Sequence, residues 1–280
     1  NLALLPLGTA RLQANVKARP SGSEDPEPSR CTVSPALTAW CGPAFLLTFV
    51  FFWGIVGQNL PNPSPALSAT DLAARYAAHL NEIRLSFIAS LITVVFYMPW
   101  TAVLSDLMRQ IEGRFRTLSY LQLIGGALTV MVVSFSAMFW AVAAFRADRD
   151  PAQVQLLTDT GWLCIDLQYA CTTLQMVAAA LAGLADKRAE PLFPRWVCWL
   201  TIWCGLSFLP ASLTGVLKTG PFAWDGLLSY YIPYFCWLCW YTVASIYMIK
   251  EIRRHMRRGD MLPVPGGAVR SHDVSGVTVV

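Results

Sequence analysis

Long apolar stretches separated by short polar connections dominate the pattern of the chain. A helix needs about 20 mostly apolar residues to cross the hydrocarbon core of a bilayer. Backbone polar groups cannot stay unpaired in hydrocarbon, and these stretches lack the strict alternation of barrel strands, so helices are the assignment that fits. We therefore predict an all-α, polytopic transmembrane helical bundle. Its six predicted spans are residues 37–58, 83–105, 117–145, 159–184, 195–217 and 227–249.

The segments outside this predicted transmembrane domain (37–250) differ from it in composition. Residues 1–36 are rich in Pro, Ser and charged residues, which predicts a disordered cytoplasmic segment. Residues 251–280 are basic and are predicted to be a disordered cytoplasmic tail. Ser68-Ala-Thr-Asp71 resembles a helix capping box, with Asp in place of the usual Glu. We expect a short amphipathic helix to follow it in the first outside loop.

Composition and charge support a membrane protein and indicate its orientation. Hydrophobic residues make up 55% of the chain and charged residues only 14%, against about 25% charged in soluble domains. Taking the N-terminus as inside, 16 of the 21 Lys and Arg residues fall in the inside segments. The positive-inside rule then places both termini in the cytoplasm. The net charge is only +4, and the basic residues lie in short loops without forming a continuous patch. This argues against a nucleic-acid partner.

Cysteine, tryptophan and histidine suggest packing and interface roles rather than cofactor sites. Seven of the eight cysteines fall inside predicted spans, where they are expected to be small apolar packing residues rather than disulfide partners. Cys236 and Cys239 have zinc-like spacing but no second ligand pair, and the predicted spans contain no histidine for haem. We predict no cofactor and no metal. The 11 tryptophans are expected mainly at the exterior, where indole rings favour the headgroup level.

Polar residues in the second and third spans recur at intervals of three and four, so each set forms one face of a helix. Two interpretations follow. The two faces pack together through small and hydroxyl side chains, or they line a water-filled cavity or permeation path. The positions on the second helix are Arg75, His79, Glu82, Ser86, Ser90, Thr93, Tyr97, Thr101 and Ser105. Those on the third are Ser119, Gln122, Gly126, Thr129 and Ser136.

Asp166 is the first candidate for a functional residue, because an ionisable group inside a span costs a few kcal/mol unless it is paired, protonated or hydrated. Its alternative role is a structural ion pair with Arg84, near the outer end of the second span. Several charges on the same outer side would then form either a polar pocket or a solvated rim of unrelated charges. The predicted ligand-binding residues are Asp166, Glu82, Arg84, Gln168, Lys218, Asp225 and Tyr97.

The last third of the chain carries a recognisable pattern. Leu192-Phe-Pro-Arg-Trp196, Phe208-Leu-Pro210 and Lys218-Thr-Gly-Pro-Phe-Ala-Trp224 resemble a family of uncharacterised bacterial six-span integral membrane proteins. The resemblance implies a bacterial inner-membrane location and implies no activity.

Three functions remain open at this point. The favoured one is binding or transport of a small amphipathic molecule through a polar pocket in the outer half of the bundle. The alternatives are an intramembrane enzyme acting on a lipid or isoprenoid-like substrate, with Asp166 or Glu82 as acid or base, and a non-catalytic accessory subunit. No nucleophile–base pair is evident, which places the enzyme second. The basic segment after the last span, Lys250 to Arg258, is expected to contact anionic lipid.

Overall fold

The computed structural model describes residues 35–258, and these residues form helices and their connections without a β-strand. The all-α prediction is therefore confirmed. One π-helical segment, Val50–Val56, continues the first α-helix, and another, Leu227–Tyr231, precedes the last. The α-helices are α1 (Pro35–Phe49), α2 (Ala69–Ala78), α3 (Leu80–Thr93), α4 (Tyr97–Glu112), α5 (Thr117–Phe145), α6 (Pro151–Leu167), α7 (Ala170–Ala185), α8 (Arg195–Leu206) and α9 (Ile232–Arg258).

Within the described part of the chain, six helical segments are long and apolar enough to cross a membrane, as predicted. The second consists of α3 and α4, joined through a short 3₁₀ turn, and the fourth consists of α6 and α7. The observed segments, called spans 1 to 6 below, are Leu37–Val56, Leu80–Glu112, Thr117–Phe145, Pro151–Ala185, Arg195–Leu213 and Leu227–Arg257.

The predicted ends of the chain need one correction. The predicted disordered tail began at residue 251, but α9 continues as a helix to Arg258. The remainder of that tail, 259–280, and the predicted N-terminal segment up to residue 34 lie outside the described residues.

Six crossings give the bundle two ends. We call the end where α1 begins and α9 ends the terminal face, and it also carries the connections 113–116 and 186–194. The opposite end, called the distal face, carries the connections 57–79, 146–150 and 214–226. The predicted surface helix is α2, which lies on the distal face. Ser68 is its N-cap, as the capping-box pattern predicts, because Ser68 Oγ accepts a hydrogen bond of 3.1 Å from the Asp71 amide. The Asp71 carboxylate accepts a bond of 2.6 Å from Ser68 Oγ, in place of the bond from the Ser68 amide that would complete the box.

Helix α5 is central to the packing and contacts α3, α4, α6 and α7. Two adjacent glycines allow this close approach. A Cβ atom added at Gly125 would lie 2.8 Å from the Cys171 carbonyl oxygen, and one at Gly126 would lie 2.3 Å from Thr101 Oγ1. Small residues at such positions are typical of membrane helix interfaces, where close packing replaces the hydrophobic effect as the attractive force.

Aromatic side chains fill the interior, which corrects the expected tryptophan-rich exterior. Trp53 stacks between Phe49 and Tyr234, with ring centroids 5.0 and 5.5 Å away. Indole rings were expected at the headgroup level, yet most are buried here because they pack against each other and against tyrosines. The buried tryptophans are Trp53, Trp100, Trp140, Trp162, Trp224, Trp237 and Trp240, whereas Trp40, Trp196, Trp199 and Trp203 are exposed.

The exposed side of the bundle is apolar along the spans. Leucine, isoleucine, valine, methionine and phenylalanine side chains with half or more of their surface exposed occur along several spans, including Leu47, Ile92, Met138 and Phe235. An apolar surface this extensive is not compatible with water and is what a helix bundle presents to lipid. The protein is therefore an integral membrane protein.

Candidate functional site

The polar face of span 2 packs against span 3 at the level of Tyr97 and Thr101. Gln122 Nε2 donates to Thr101 Oγ1 at 2.6 Å, and Gln175 Nε2 of span 4 donates to the same oxygen at 2.8 Å. Tyr97 donates its hydroxyl to Gln175 Oε1 at 2.7 Å. These four side chains, which we call the three-span network, are all buried. The packing interpretation of the stripe is confirmed at this level of the bundle.

A cavity lies elsewhere, between spans 1, 3, 4, 5 and 6, and it contains Asp166. It has a volume of about 50 Å³, and a site for one water needs about 10–15 Å³ by this measure. The Asp166 side chain is 4% exposed, and its Oδ2 atom has no hydrogen-bond partner. The lining residues are Phe49, Thr129, Val132, Val133, Ile165, Asp166, Gln168, Tyr169, Thr172, Phe208, Ala211, Ser229, Tyr234 and Trp237.

The helix of span 4 breaks directly beside this carboxylate. Helix α6 ends at Leu167 and α7 begins at Ala170, so Gln168 and Tyr169 lie between two helices inside one span. The break is local, because Gln168 departs from helical dihedrals (φ −98°, ψ 16°) while Tyr169 keeps them (φ −54°, ψ −23°). Such irregular backbone at membrane depth is tolerated where it is buried in protein or lines a cavity. Tyr169 fixes the break from the outside, because its hydroxyl lies 2.7 Å from Ser212 Oγ.

Of the predicted site residues, the cavity brings together Asp166 and Gln168 only. Arg84 does not pair with Asp166, so the predicted structural ion pair is wrong. Arg84 Nε instead donates to the Ala144 carbonyl and Nη2 to the Phe145 carbonyl, each at 2.8 Å. These are the last carbonyls of α5, which have no partner within their helix, and a cation there is favourable.

The other four predicted residues lie outside the cavity. Tyr97 belongs to the three-span network. Glu82 and Lys218 are exposed, and Asp225 is half-buried beside the buried Trp224 in the distal connection 214–226. A single outer pocket formed by all the predicted charges is therefore not what the structure shows. On the distal face these charges form a rim.

The distal end of the bundle is covered by its own connections. Asn62 donates to the Trp224 carbonyl at 2.7 Å, and Trp224 Nε1 donates to the Pro63 carbonyl at 3.0 Å. The hydroxyl of Tyr230 also donates to the Asn59 carbonyl. The segment 59–63 is thus held against the start of span 6 and the connection 214–226 that precedes it.

Helix α2 completes this distal layer by packing on α6. Arg75 donates to the Gln58 carbonyl, and Thr158 Oγ1 lies 3.1 Å from the Tyr76 hydroxyl. Burial raises the pKa of Tyr76 to about 12, so the phenol remains neutral at physiological pH. Asp166 follows Thr158 by eight residues and so lies about 12 Å further into the bundle at 1.5 Å per residue.

A second cluster of polar side chains lies on the terminal face and joins the connection 186–194 to α9. Arg188 forms ion pairs with Asp186 at 2.7 Å and with Glu251 at 3.1 Å. Burial acts to raise the pKa of Asp186, but hydrogen bonds from Arg188 and the Leu192 amide outweigh it, so this pKa lies below its ordinary value. The same ion pair with Asp186 raises the pKa of Arg188. This cluster fixes the end of α9 and has no contact with the cavity lining.

Several cavity residues were not among the predicted site residues. Ser229 lies at a π-helical turn and donates to the Phe222 and Pro210 carbonyls at 3.0 and 3.1 Å. Thr172 and Thr129 have hydroxyl oxygens 2.9 Å apart across spans 4 and 3. Thr129 belongs to the predicted polar face of the third span, which was the available signal for this side of the cavity.

Comparison with protein-family models, with curated proteins and with solved structures found no match to the chain. The functional argument therefore rests on the site itself.

Proposed function

We propose that this integral membrane protein binds a small amphipathic molecule in the cavity at Asp166, and that the molecule reaches it from the lipid side of the bundle. The observation that carries the proposal is the buried carboxylate oxygen without a partner in a largely apolar cavity. A site built of apolar and aromatic side chains with a few polar groups is typical of small-molecule binding. The break in span 4 at this point supports the same role.

Access from the lipid side is supported by the position of the exposed lining residue. Gln168 is exposed although it lies within span 4, beside the exposed Leu167. The opening at Gln168 therefore faces the side of the bundle rather than one of its ends. The hydrogen-bonded distal connections close the alternative route from above.

A pair of carbodiimides tests this proposal, because they modify carboxyl groups but differ in where they dissolve. In lipid nanodiscs we expect lipid-soluble dicyclohexylcarbodiimide to modify Asp166, and a water-soluble carbodiimide to leave Asp166 unmodified. Exposed Glu82 provides the matched control, since it should react with the water-soluble reagent. Modification sites are read by peptide mass spectrometry. Absence of Asp166 modification by the lipid-soluble reagent, with Glu82 reacting normally, would contradict the proposal.

We further propose that the terminal face is cytoplasmic and contacts anionic lipid, in a bacterial inner membrane. Basic side chains of α9 support this, because Lys250, Arg253, Arg254 and Arg257 line a recess of about 490 Å³ together with Glu190. Basic residues beside a span attract anionic headgroups by about 1 kcal/mol each.

The lipid contact is tested by native mass spectrometry of the purified protein. Arg253→Gln combined with Arg257→Gln should reduce retained phosphatidylglycerol, whereas Arg149→Gln on the distal face should not. Equal retention in both variants would contradict the contact. The orientation is tested separately by C-terminal reporter fusions, with green fluorescent protein expected to fluoresce and alkaline phosphatase expected to stay inactive.

A further inference from the structure

We infer that the polar head of the bound molecule is a small ammonium group, so that the ligand class is a primary alkylamine in its protonated form. This inference rests on the function proposed above and specifies the ligand of the same site.

The uncompensated charge of Asp166 favours a cationic head group. Asp166 Oδ2 has no hydrogen-bond partner, and the residues that line the cavity include no Lys, Arg or His. An ionised carboxylate inside a membrane protein needs a compensating charge, a proton or water. A ligand cation would supply both the charge and the N–H donors that the free oxygen lacks, in a charge-assisted hydrogen bond.

The aromatic lining of the cavity also favours a cation. Aromatic rings attract cations through their π faces, most strongly where the site is desolvated. Aliphatic side chains have no electron-rich face, so they do not attract a cation in this way. The five aromatic residues that line the cavity with Asp166 are Phe49, Tyr169, Phe208, Tyr234 and Trp237.

The size of the cavity also favours a small head group. Its volume of about 50 Å³ is a few times the about 10–15 Å³ that one water needs by this measure. A primary ammonium group is close to a water in size and fits this space with its N–H donors beside the carboxylate. A trimethylammonium group is several times larger and has no N–H group to donate to Asp166 Oδ2. The cavity therefore favours the primary amine over the quaternary one.

The tail of the ligand is expected on the lipid side of the bundle. On the lipid side of the break, Leu167 and Leu174 of span 4 and Leu209 of span 5 are exposed apolar side chains. An alkyl chain that leaves the cavity past Gln168 would lie along these leucines and remain in the hydrocarbon of the bilayer. The ligand thus needs one charged head and one unbranched tail.

The inference is tested with three probes that share one tail: dodecylammonium, dodecyltrimethylammonium and dodecanol. Each is titrated into the protein in lipid nanodiscs at pH 7, and an apparent affinity is obtained from the rise of the thermal unfolding midpoint. We expect dodecylammonium to bind at least tenfold more tightly than either of the others. Equal affinity for dodecanol would overturn the charge argument, and equal affinity for dodecyltrimethylammonium would overturn the size argument.

Two variants assign the binding to the cavity. Asp166→Asn keeps the side-chain shape but removes the charge, and it should weaken dodecylammonium binding by roughly tenfold or more. Asp159 lies on the same helix but does not line the cavity, so Asp159→Asn should leave the affinity for dodecylammonium unchanged. An Asp166→Asn variant that binds as tightly as the wild type would overturn the inference.

A cavity-filling variant covers the case in which Asp166→Asn does not fold. Ala211→Leu introduces a larger side chain into the lining and should abolish dodecylammonium binding, and retained binding would overturn the inference.

Failure of this inference can be distinguished from failure of the proposed function. If the lipid-soluble carbodiimide modifies Asp166 but the three probes bind alike, the cavity is accessible and only the ligand class is wrong.

Discussion

The three-span network provides a sharp test of how the bundle is held together, through the substitution Gln175→Leu. The variant removes the hydrogen bond from Tyr97 and the bond to Thr101, which are 2.7 and 2.8 Å long. Thr101 keeps its second donor, Gln122, at 2.6 Å. The Tyr97 hydroxyl is left buried without its acceptor.

The magnitude follows from these two losses. Hydrogen bonds between membrane helices contribute about 0.6 kcal/mol on average and up to about 1.7 kcal/mol. A buried donor left without a partner costs about 1–3 kcal/mol. We therefore expect Gln175→Leu to lower the free energy of unfolding by about 1–3 kcal/mol. The assay is reversible unfolding in mixed micelles with increasing dodecyl sulfate, followed by circular dichroism.

A double-mutant cycle separates the network from general damage to packing. Tyr97→Phe removes the donor that Gln175→Leu leaves unpaired, so the double variant should be less destabilised than the sum of the single ones. A coupling of about 0.5 kcal/mol or more is expected for residues in one hydrogen-bonded network. Gln153→Leu, at an exposed position of α6, is the matched control and should change little. Zero coupling, or a stable Gln175→Leu variant, would refute the reasoning.

Three further predictions address the cap of α5, the terminal face and the aromatic core. Arg84→Gln should destabilise the protein by about 1 kcal/mol through loss of two bonds to helix-end carbonyls, while carbodiimide modification of Asp166 stays as in the wild type; a rise in modification would revive the ion pair. Asp186→Asn should destabilise the protein at pH 7, where the carboxylate is ionised. Because its folded-state pKa is lowered, that stabilisation is present above the unfolded value of about 3.9 and is lost as the pH falls through the folded value. A stability difference between wild type and Asp186→Asn that does not shrink as the pH is lowered from 7 to 3 would contradict this. Gly161→Ala should cost about 1–3 kcal/mol by overpacking, since its Cβ would lie 2.4 Å from Trp140 Nε1, and an unchanged unfolding curve would show that the indole moves freely.

The spans were predictable because membrane crossing depends on the composition and length of a continuous stretch of the chain. Apolar length alone defines a spanning segment, and a spacing of three and four residues defines which side chains share a face. That is why the contact between the polar face with Thr101 and the polar face with Gln122 was predicted correctly. The start of span 4 was less predictable, since the span begins at Pro151 and not at residue 159. The first two turns of α6 pack on α2 in the distal layer, where the sequence is too polar to be recognised as part of a span.

The candidate site was only partly predictable, since it depends on how the helices are rotated against one another. Asp166 was identified because a carboxylate within a span is costly wherever it points. Its supposed partner Arg84 was misplaced because the sequence does not reveal that the end of α5 offers two unpaired carbonyls nearer to it. The break at Gln168 carries no Pro or Gly to announce it. The aromatic lining was hidden for a similar reason, because tryptophan suits both a headgroup belt and a packed interior.

The central claim is that Asp166 faces a small cavity open to lipid rather than a protein partner. A density map of the wild-type protein in lipid nanodiscs, at side-chain resolution, tests it most directly. The account predicts non-protein density within hydrogen-bond distance of Asp166 Oδ2, continuing past Gln168 toward the bilayer. A map in which Asp166 is bonded to Arg84 or another basic side chain, with the cavity filled by protein, would contradict it.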